Sequence, residues 1–347
     1  MKPVIAITMG DFNGIGPEVA LKAANSHLVR RIAIPVLVGS LDVFEYYAKL
    51  YKMKISIREV DPEYFGVEDI PRSNSDDIPL IVVRKFQKPK IKLGKISFEA
   101  GQLAVESIIT AAVLNLKYGI DGIVTAPISK AAVNFNGLHF PGQTELLAAI
   151  YKTEKYAMIL ACDNFRVGLA TIHIPISQVA SSITTKLVAE KISTLNNSMK
   201  IDFGIKKPKI AVLGLNPHAG ENGLLGNEEK TTILPAMKLA KQDGANVSGP
   251  FPSDGFFGIG SYKNFDAILA MYHDQGLIPL KLLGFVKGVN FTAGLPVVRT
   301  SPDHGTAFSI AGKGITDPSS TIEAVRLAVE VIKNRNQHIP KKTIRKK

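Results

Sequence analysis

The 347-residue chain has one cysteine and no tryptophan, and it nowhere runs to 18 uninterrupted apolar residues. A single cysteine excludes an internal disulfide and points to a reducing compartment; Cys162, inside the apolar run YAMILAC, reads as a small core residue. The missing apolar run excludes a membrane-spanning helix. The start, MKPVIAITMGD, offers about six apolar residues before Asp11, too few for the core of a signal peptide, so a cytoplasmic protein is expected. Zinc-finger spacings and alternating aromatic and basic residues are also absent, which argues against a nucleic-acid partner. The net charge of +12, from 42 Lys and Arg against 30 Asp and Glu, then suits an anionic small molecule or a basic surface. Its densest basic cluster, the tail KKTIRKK, reads as a solvated end.

What is present is alternation. VIAIT (4–8), IPVLVG (34–39), LIVVR (80–84), GIVTA (122–126), KIAVLGL (209–215) and DAILAMY (266–272) are short apolar runs of the kind that form strands buried on both faces. YAMILAC and RVGLATIH read as a hairpin about the turn DNF. Helical segments are expected at 16–25, 42–51, 98–117, 176–198, 229–243 and 319–334. The pattern predicts an α/β fold with a largely parallel sheet, helices on both faces and some antiparallel pairing in the middle. The stretch 60–79, rich in Pro, Asp and Ser, should be an exposed excursion.

In such folds ligands gather beyond the carboxyl ends of strands. Three of the seven histidines fall there: His173 after GLATI, His218 after IAVLGLNP and His273 after AILAMY, each followed by a turn or breaker. One histidine at a strand end is usually a structural hydrogen-bonding residue. Three in like positions suggest a metal site with open coordination, of a kind suited to Zn, Co, Ni or Fe. Lys281, Asn290 and Arg299 follow His273 and offer donors to an anion. Asp254 and Asp274 are carboxylates able to orient a ligand or move protons, or simply turn residues. TMGDFNGIGPE (8–18) departs from the dinucleotide fingerprint at Val19 and reads as a tight strand-to-helix turn. DHGTAFSIAGKG (303–314) reads as a second glycine-rich loop, able to cradle a phosphate or cofactor or serving as a plain connection.

Together TMGDFNGIGPE, TAPISK, FPGQTE, ATIHIP, LGLNPHAGENGLLGNEE, GPFPSDG, AMYHDQGLIPLK and GVNFTAGLPVVRTSPDHGTAFSIAGKG, in order from about residue 4 to 330, resemble the 4-hydroxythreonine-4-phosphate dehydrogenase family of pyridoxine biosynthesis. The resemblance implies a two-lobed α/β/α subunit like the isocitrate and isopropylmalate dehydrogenases, with lobes expected at 1–128 plus 280–347 and at 129–279. It implies NAD or NADP, one divalent metal (Zn, Co or Mg), and a homodimer with its site at the subunit interface. By motif, His173, His218 and His273 become metal ligands supplied from both subunits. Gln143, Thr144, Lys281, Asn290 and Arg299 fall at substrate-binding positions, and Lys281, Asp274 or Asp254 are candidates for proton transfer. The family's GHTE is Gly142-Gln143-Thr144-Glu145 here, and its PADT is PSDG. Gln143 can hydrogen-bond but cannot carry a proton as imidazolium does. Oxidation of a four-carbon sugar acid phosphate, threonate or erythronate 4-phosphate, is therefore an alternative, and a metal-dependent hydrolase without NAD is another.

Overall fold

A computed structural model describes residues 2–61, 77–83, 88–134 and 142–338. Most of the 60–79 excursion and the KKTIRKK tail lie outside the described residues. The strands, numbered along the chain, are β1 Val4–Thr8, β2 Ile34–Gly39, β3 Ser56–Glu59, β4 Asp77–Val82, β5 Gly122–Val124, β6 Ala157–Cys162, β7 Phe165–Leu169, β8 Lys209–Leu213, β9 Asn246–Phe251, β10 Ala267–Ala270, β11 Val289–Ala293 and β12 Val298–Pro302.

The chain divides into two compact units, 1–154 with 284–329 and 155–283 with 330–347. The crossings fall at 154/155, 283/284 and 329/330, against 128/129 and 279/280 expected from sequence. In the first unit the strand order is β3-β4-β2-β1-β5-β12-β11, parallel except for the β11–β12 pair. In the second it is β6-β7-β10-β8-β9, parallel except for the β6–β7 hairpin. The expected α/β class and largely parallel pairing hold.

Burial explains why these runs are strands. All five residues of β1 are buried, as are all four of β10. A run apolar on both faces is stable only with helices covering each face, and each fully buried Ile or Val there contributes roughly 1.5–3 kcal/mol. Helix Phe98–Tyr118 supplies one cover. Ser97 caps it by accepting from Ala100 N, and Gly119 ends it in the left-handed conformation. Cys162 is buried, as expected.

Three local expectations change. The segment 176–198 is two helices, Ile176–Ser182 and Thr185–Ile201; the Thr184 side chain accepts from Leu187 N at the start of the second, a cap that favours a new start over a continuous run. Residues 229–243 begin as a π-helical turn, Glu229–Ile233, before the α-helix Leu234–Gln242. DQG is no turn: His273 opens the helix His273–Gly284, which keeps Pro279 inside it. Gly276 is what lets this helix press on the sheet, because a Cβ there would lie 2.9 Å from Leu169 and Val167 side-chain carbons.

Candidate functional site

The second unit carries the histidines. β7 stops at Leu169, so His173 lies four residues beyond the strand, not at its end. β10 stops at Ala270, three residues before His273. The two rings nevertheless meet, with centroids 5.6 Å apart and planes at 44°. The register explains this: Leu169 pairs with Ala270 in parallel, so the two chain continuations leave side by side. His273 Nδ1 lies 2.7 Å from Asp274 Oδ1. With Nδ1 donating to that carboxylate, Nε2 keeps its lone pair for a ligand.

His218 is held differently. It opens a run of six residues with positive φ, from 53° at His218 through Ala219, Gly220, Glu221 and Asn222 to 95° at Gly223. This is a left-handed turn in which only Gly220 and Gly223 are glycine, and each of the others costs roughly 1–2 kcal/mol. Contacts from outside the run hold it. The buried Glu229 carboxylate accepts Leu215 N and Asn216 N at 2.8 Å each, and Asn216 Nδ2 at 2.9 Å. Lys230 donates to Asn222 O at the far end. The chain passes so close to Glu229 that a Cβ on Gly220 would meet its Oε2 at 2.6 Å. Among the described residues no group of three His, Cys, Asp or Glu side chains within this chain is placed to enclose one ion. What the fold brings together in one chain is the His173–His273 pair.

Asp254 is exposed, in the first turn of the helix Ser253–Gly258. Lys281 is exposed on the helix that His273 opens; seven residues after Asp274, it shares that residue's face two turns along.

The first unit carries the anion-binding candidates, and Arg299 is no surface charge there. It is 2% exposed on β12, and all five of its N–H groups are used. Nε and Nη2 donate to Thr125 Oγ1 at 3.1 and 2.7 Å, Nη1 to Thr144 and Thr292 Oγ1 at 3.2 and 3.1 Å, and Nη2 also to Gln143 Oε1 at 2.9 Å. Burial without a bonded carboxylate lowers its pKa to about 10, with Glu145 opposing the shift. Each threonine hydroxyl accepts from Arg299, which leaves its own hydrogen to donate. Gln143 is fixed at both ends, since Nε2 donates to Ala126 O at 3.2 Å. Gln143 and Thr144 also open the helix Gln143–Ile150, whose first amides have no partner within the helix. Asn290 stands two residues from Thr292, hence on the same face of β11, and its buried Oδ1 has no partner.

The glycine-rich turn of residues 9–16 is the expected tight strand-to-helix connection, with Pro17 in the first turn of helix Gly16–Ala24. It closes on the loop 303–314 through Ile15 N to Thr306 O at 3.0 Å, and Gly14 has no room for a Cβ beside Thr306 O. Each loop keeps one buried polar atom unpaired, Asp11 Oδ2 and His304 Nε2. Burial raises the Asp11 pKa from 3.8 to about 6 and lowers that of His304.

Because the native state holds the Asp11 proton more tightly than the unfolded chain, this group's stabilisation is complete below pH 3.8 and is lost as pH rises to about 6. An asparagine side chain at this position keeps the Oδ1 acceptor for Asn13 N without the charge. Asp11→Asn should therefore be the more stable protein at pH 8, by up to about 3 kcal/mol, with the difference shrinking toward pH 4. Urea unfolding at the two pH values checks this; a difference that does not change with pH would contradict it.

The sequence did not single out Thr125, Thr292, Glu229 or Gln275. Threonines within apolar strands and a lone buried glutamate carry no spacing signal. For Gln275 the cue was its place in HDQG beside His273.

Two α/β units with largely parallel sheets define the class of the fold. Isocitrate dehydrogenase from Methylococcus capsulatus shares it, with a TM-score of 0.51, 14% identity and coverage of 96% of this chain and 87% of that one, a likeness of fold alone. The chain belongs to the family described as pyridoxal phosphate biosynthetic protein PdxA, whose model matches residues 31–328. It is 44% identical over 325 residues to the 4-hydroxythreonine-4-phosphate dehydrogenase of Sulfurihydrogenibium sp. (strain YO3AOP1), covering 94% of this chain and 97% of that one. The D-threonate 4-phosphate dehydrogenase of Cupriavidus necator is 40% identical, with 96% and 98% covered. A crystal structure of the 4-hydroxythreonine-4-phosphate dehydrogenase from Klebsiella pneumoniae matches with a TM-score of 0.83 at 37% identity, covering 96% and 98%.

Proposed function

We propose that the protein is a metal-dependent, NAD- or NADP-linked dehydrogenase that oxidises 4-hydroxythreonine 4-phosphate in pyridoxal phosphate biosynthesis. The substrate's C–OH becomes a ketone, and the resulting β-keto acid loses carbon dioxide to give 3-amino-2-oxopropyl phosphate. The observation that carries this is the buried Arg299 with its hydroxyl partners, a charged cradle built for an anion, in a chain of this family.

At the phosphate end, Arg299 supplies charge, while the Thr144 hydroxyl hydrogen and the first amides of helix Gln143–Ile150 donate to the phosphate oxygens. Asn290 Oδ1 is left to accept from a substrate donor. His173, His218 and His273 would hold a divalent ion, Zn, Co or Mg, for the substrate hydroxyl. Their fit rests on the ring pair at 5.6 Å and the free Nε2 of His273, and the set is completed across two copies of the chain in a homodimer. When bound, such an ion would act as a Lewis acid, lowering the pKa of the substrate hydroxyl and polarising the carbonyl that oxidation forms. Lys281, exposed on the helix that His273 opens, takes the hydroxyl proton, with Asp274 and Asp254 as further acidic groups able to move protons. The two loops that leave Asp11 Oδ2 and His304 Nε2 unpaired offer polar groups to the nicotinamide cofactor. No helix among the described residues is long and apolar enough to cross a membrane, which is consistent with work in the cytoplasm, where the nicotinamide cofactor is at hand.

Gln143 favours a second reading. Its amide is spent on Arg299 and Ala126, so it offers the substrate no titratable group, and a D-threonate 4-phosphate dehydrogenase is among the relatives. A panel of 4-hydroxythreonine 4-phosphate, D-threonate 4-phosphate and D-erythronate 4-phosphate, assayed for reduced nicotinamide, separates the two. The amino acid should show the highest kcat/KM; a preference of tenfold or more for a sugar acid would overturn the assignment in favour of the second reading.

A further inference from the structure

We infer that Gln275 is a positioning residue whose side-chain amide locks together the segments that lead into His218, His273 and Asp254. This rests on the proposed metal role of the histidines.

Gln275 is 8% exposed, and every bonding group of its amide toward these loops is used. Oε1 accepts Met271 N at 2.6 Å, two residues before His273. Nε2 donates both hydrogens, to Gly214 O at 2.7 Å on the loop that leads to His218 and to Ser253 Oγ at 2.7 Å beside Asp254. A carboxylate could not do this, because Gly214 O needs a donor, and a shorter amide would not span three loops. The other side of Met271 is tied as well. Its carbonyl accepts from the Thr171 hydroxyl at 2.7 Å and from Thr171 N at 3.1 Å, two residues before His173. One network therefore runs Thr171–Met271–Gln275–Gly214 and Ser253, and each histidine lies within four residues of one of its members.

None of these side-chain bonds belongs to a sheet ladder or a helix. A purely structural amide would satisfy the same buried backbone groups, and losing it would cost stability without weakening ion binding in molecules that remain folded. A positioning amide makes a different demand, because ligands on separate loops reach one ion only if the loops keep a common register.

The test is calorimetric titration of cobalt(II) into metal-free full-length protein, comparing wild type with Gln275→Glu and Gln275→Met, each checked for native circular dichroism. The dissociation constant should rise roughly 10- to 100-fold in both variants, while NAD binding, followed by fluorescence quenching, stays as in wild type. Folded variants that bind cobalt(II) like wild type would overturn the proposal. His273→Ala runs alongside: if it too binds cobalt(II) normally, the metal reading has failed, whereas loss in His273→Ala with normal binding in the Gln275 variants sinks only the role of Gln275. Should neither Gln275 variant fold, Ser253→Ala and Thr171→Val each delete one bond of the network; several-fold weaker binding supports the proposal and unchanged binding contradicts it.

Discussion

His273→Ala is expected to lose divalent-ion binding and turnover together, with kcat falling at least about 1,000-fold. The size follows from what an ion contributes at a developing alkoxide and enolate, several kcal/mol of charge stabilisation, where each 1.36 kcal/mol is tenfold in rate. The fold should survive, because His273 is the first residue of its helix and is partly exposed, so its removal opens no core cavity. Thermal unfolding of the metal-free protein should move by no more than a few degrees. A His273→Ala protein that keeps near-normal turnover after dialysis against chelator would show that the reaction does not run through this imidazole.

Arg299→Lys is expected to raise KM for the phosphorylated substrate roughly 100-fold, near 2.7 kcal/mol, the worth of the charge-assisted hydrogen bond from the Thr144 hydroxyl that Arg299 aims at the phosphate, with a smaller change in kcat. Lysine keeps the charge but cannot form the planar fork that engages Thr125, Thr144, Thr292 and Gln143 at once. Thr144 would then lose the partner that aims its hydroxyl hydrogen outward. Alanine is the poorer test. A side chain only 2% exposed and bonded to four others would leave a cavity and orphaned hydroxyls. Steady-state kinetics on Arg299→Lys that is folded and has an unchanged KM would remove Arg299 from the substrate site.

Much of the fold was legible because strands buried on both faces announce themselves. VIAIT, IPVLVG and KIAVLGL contain the whole of β1, β2 and β8, and YAMILAC with RVGLATIH became the antiparallel pair β6–β7. Less visible were strands with mixed composition: β3, SIRE, is largely exposed, and β12, VRTSP, is buried although it carries an arginine and two hydroxyls. Polarity hid it, since its polar atoms are satisfied by partners far away in sequence, as Arg299 is by Thr125 and Thr144. The turn reading of DQG failed for a related reason. Glycine usually breaks helices, but Gly276 is where this helix meets β7 and β10, a tertiary demand that no local propensity records.

The histidines were singled out by their positions after strands, and of the three the fold brings His173 and His273 together within one chain. What sequence could not supply was how each is held: Asp274 on His273, a left-handed turn braced by Glu229 for His218, and the Gln275 amide between loops. These supports come from side chains whose role exists only after folding.

The most direct measurement is absorbance at 340 nm when the purified protein is mixed with NAD or NADP and 4-hydroxythreonine 4-phosphate, with and without prior chelation. The account predicts reduced cofactor in the untreated sample, none after chelation, and recovery on adding Zn, Co or Mg. Cofactor reduction that is indifferent to chelation, or phosphorylated substrate consumed with no absorbance change, would contradict it.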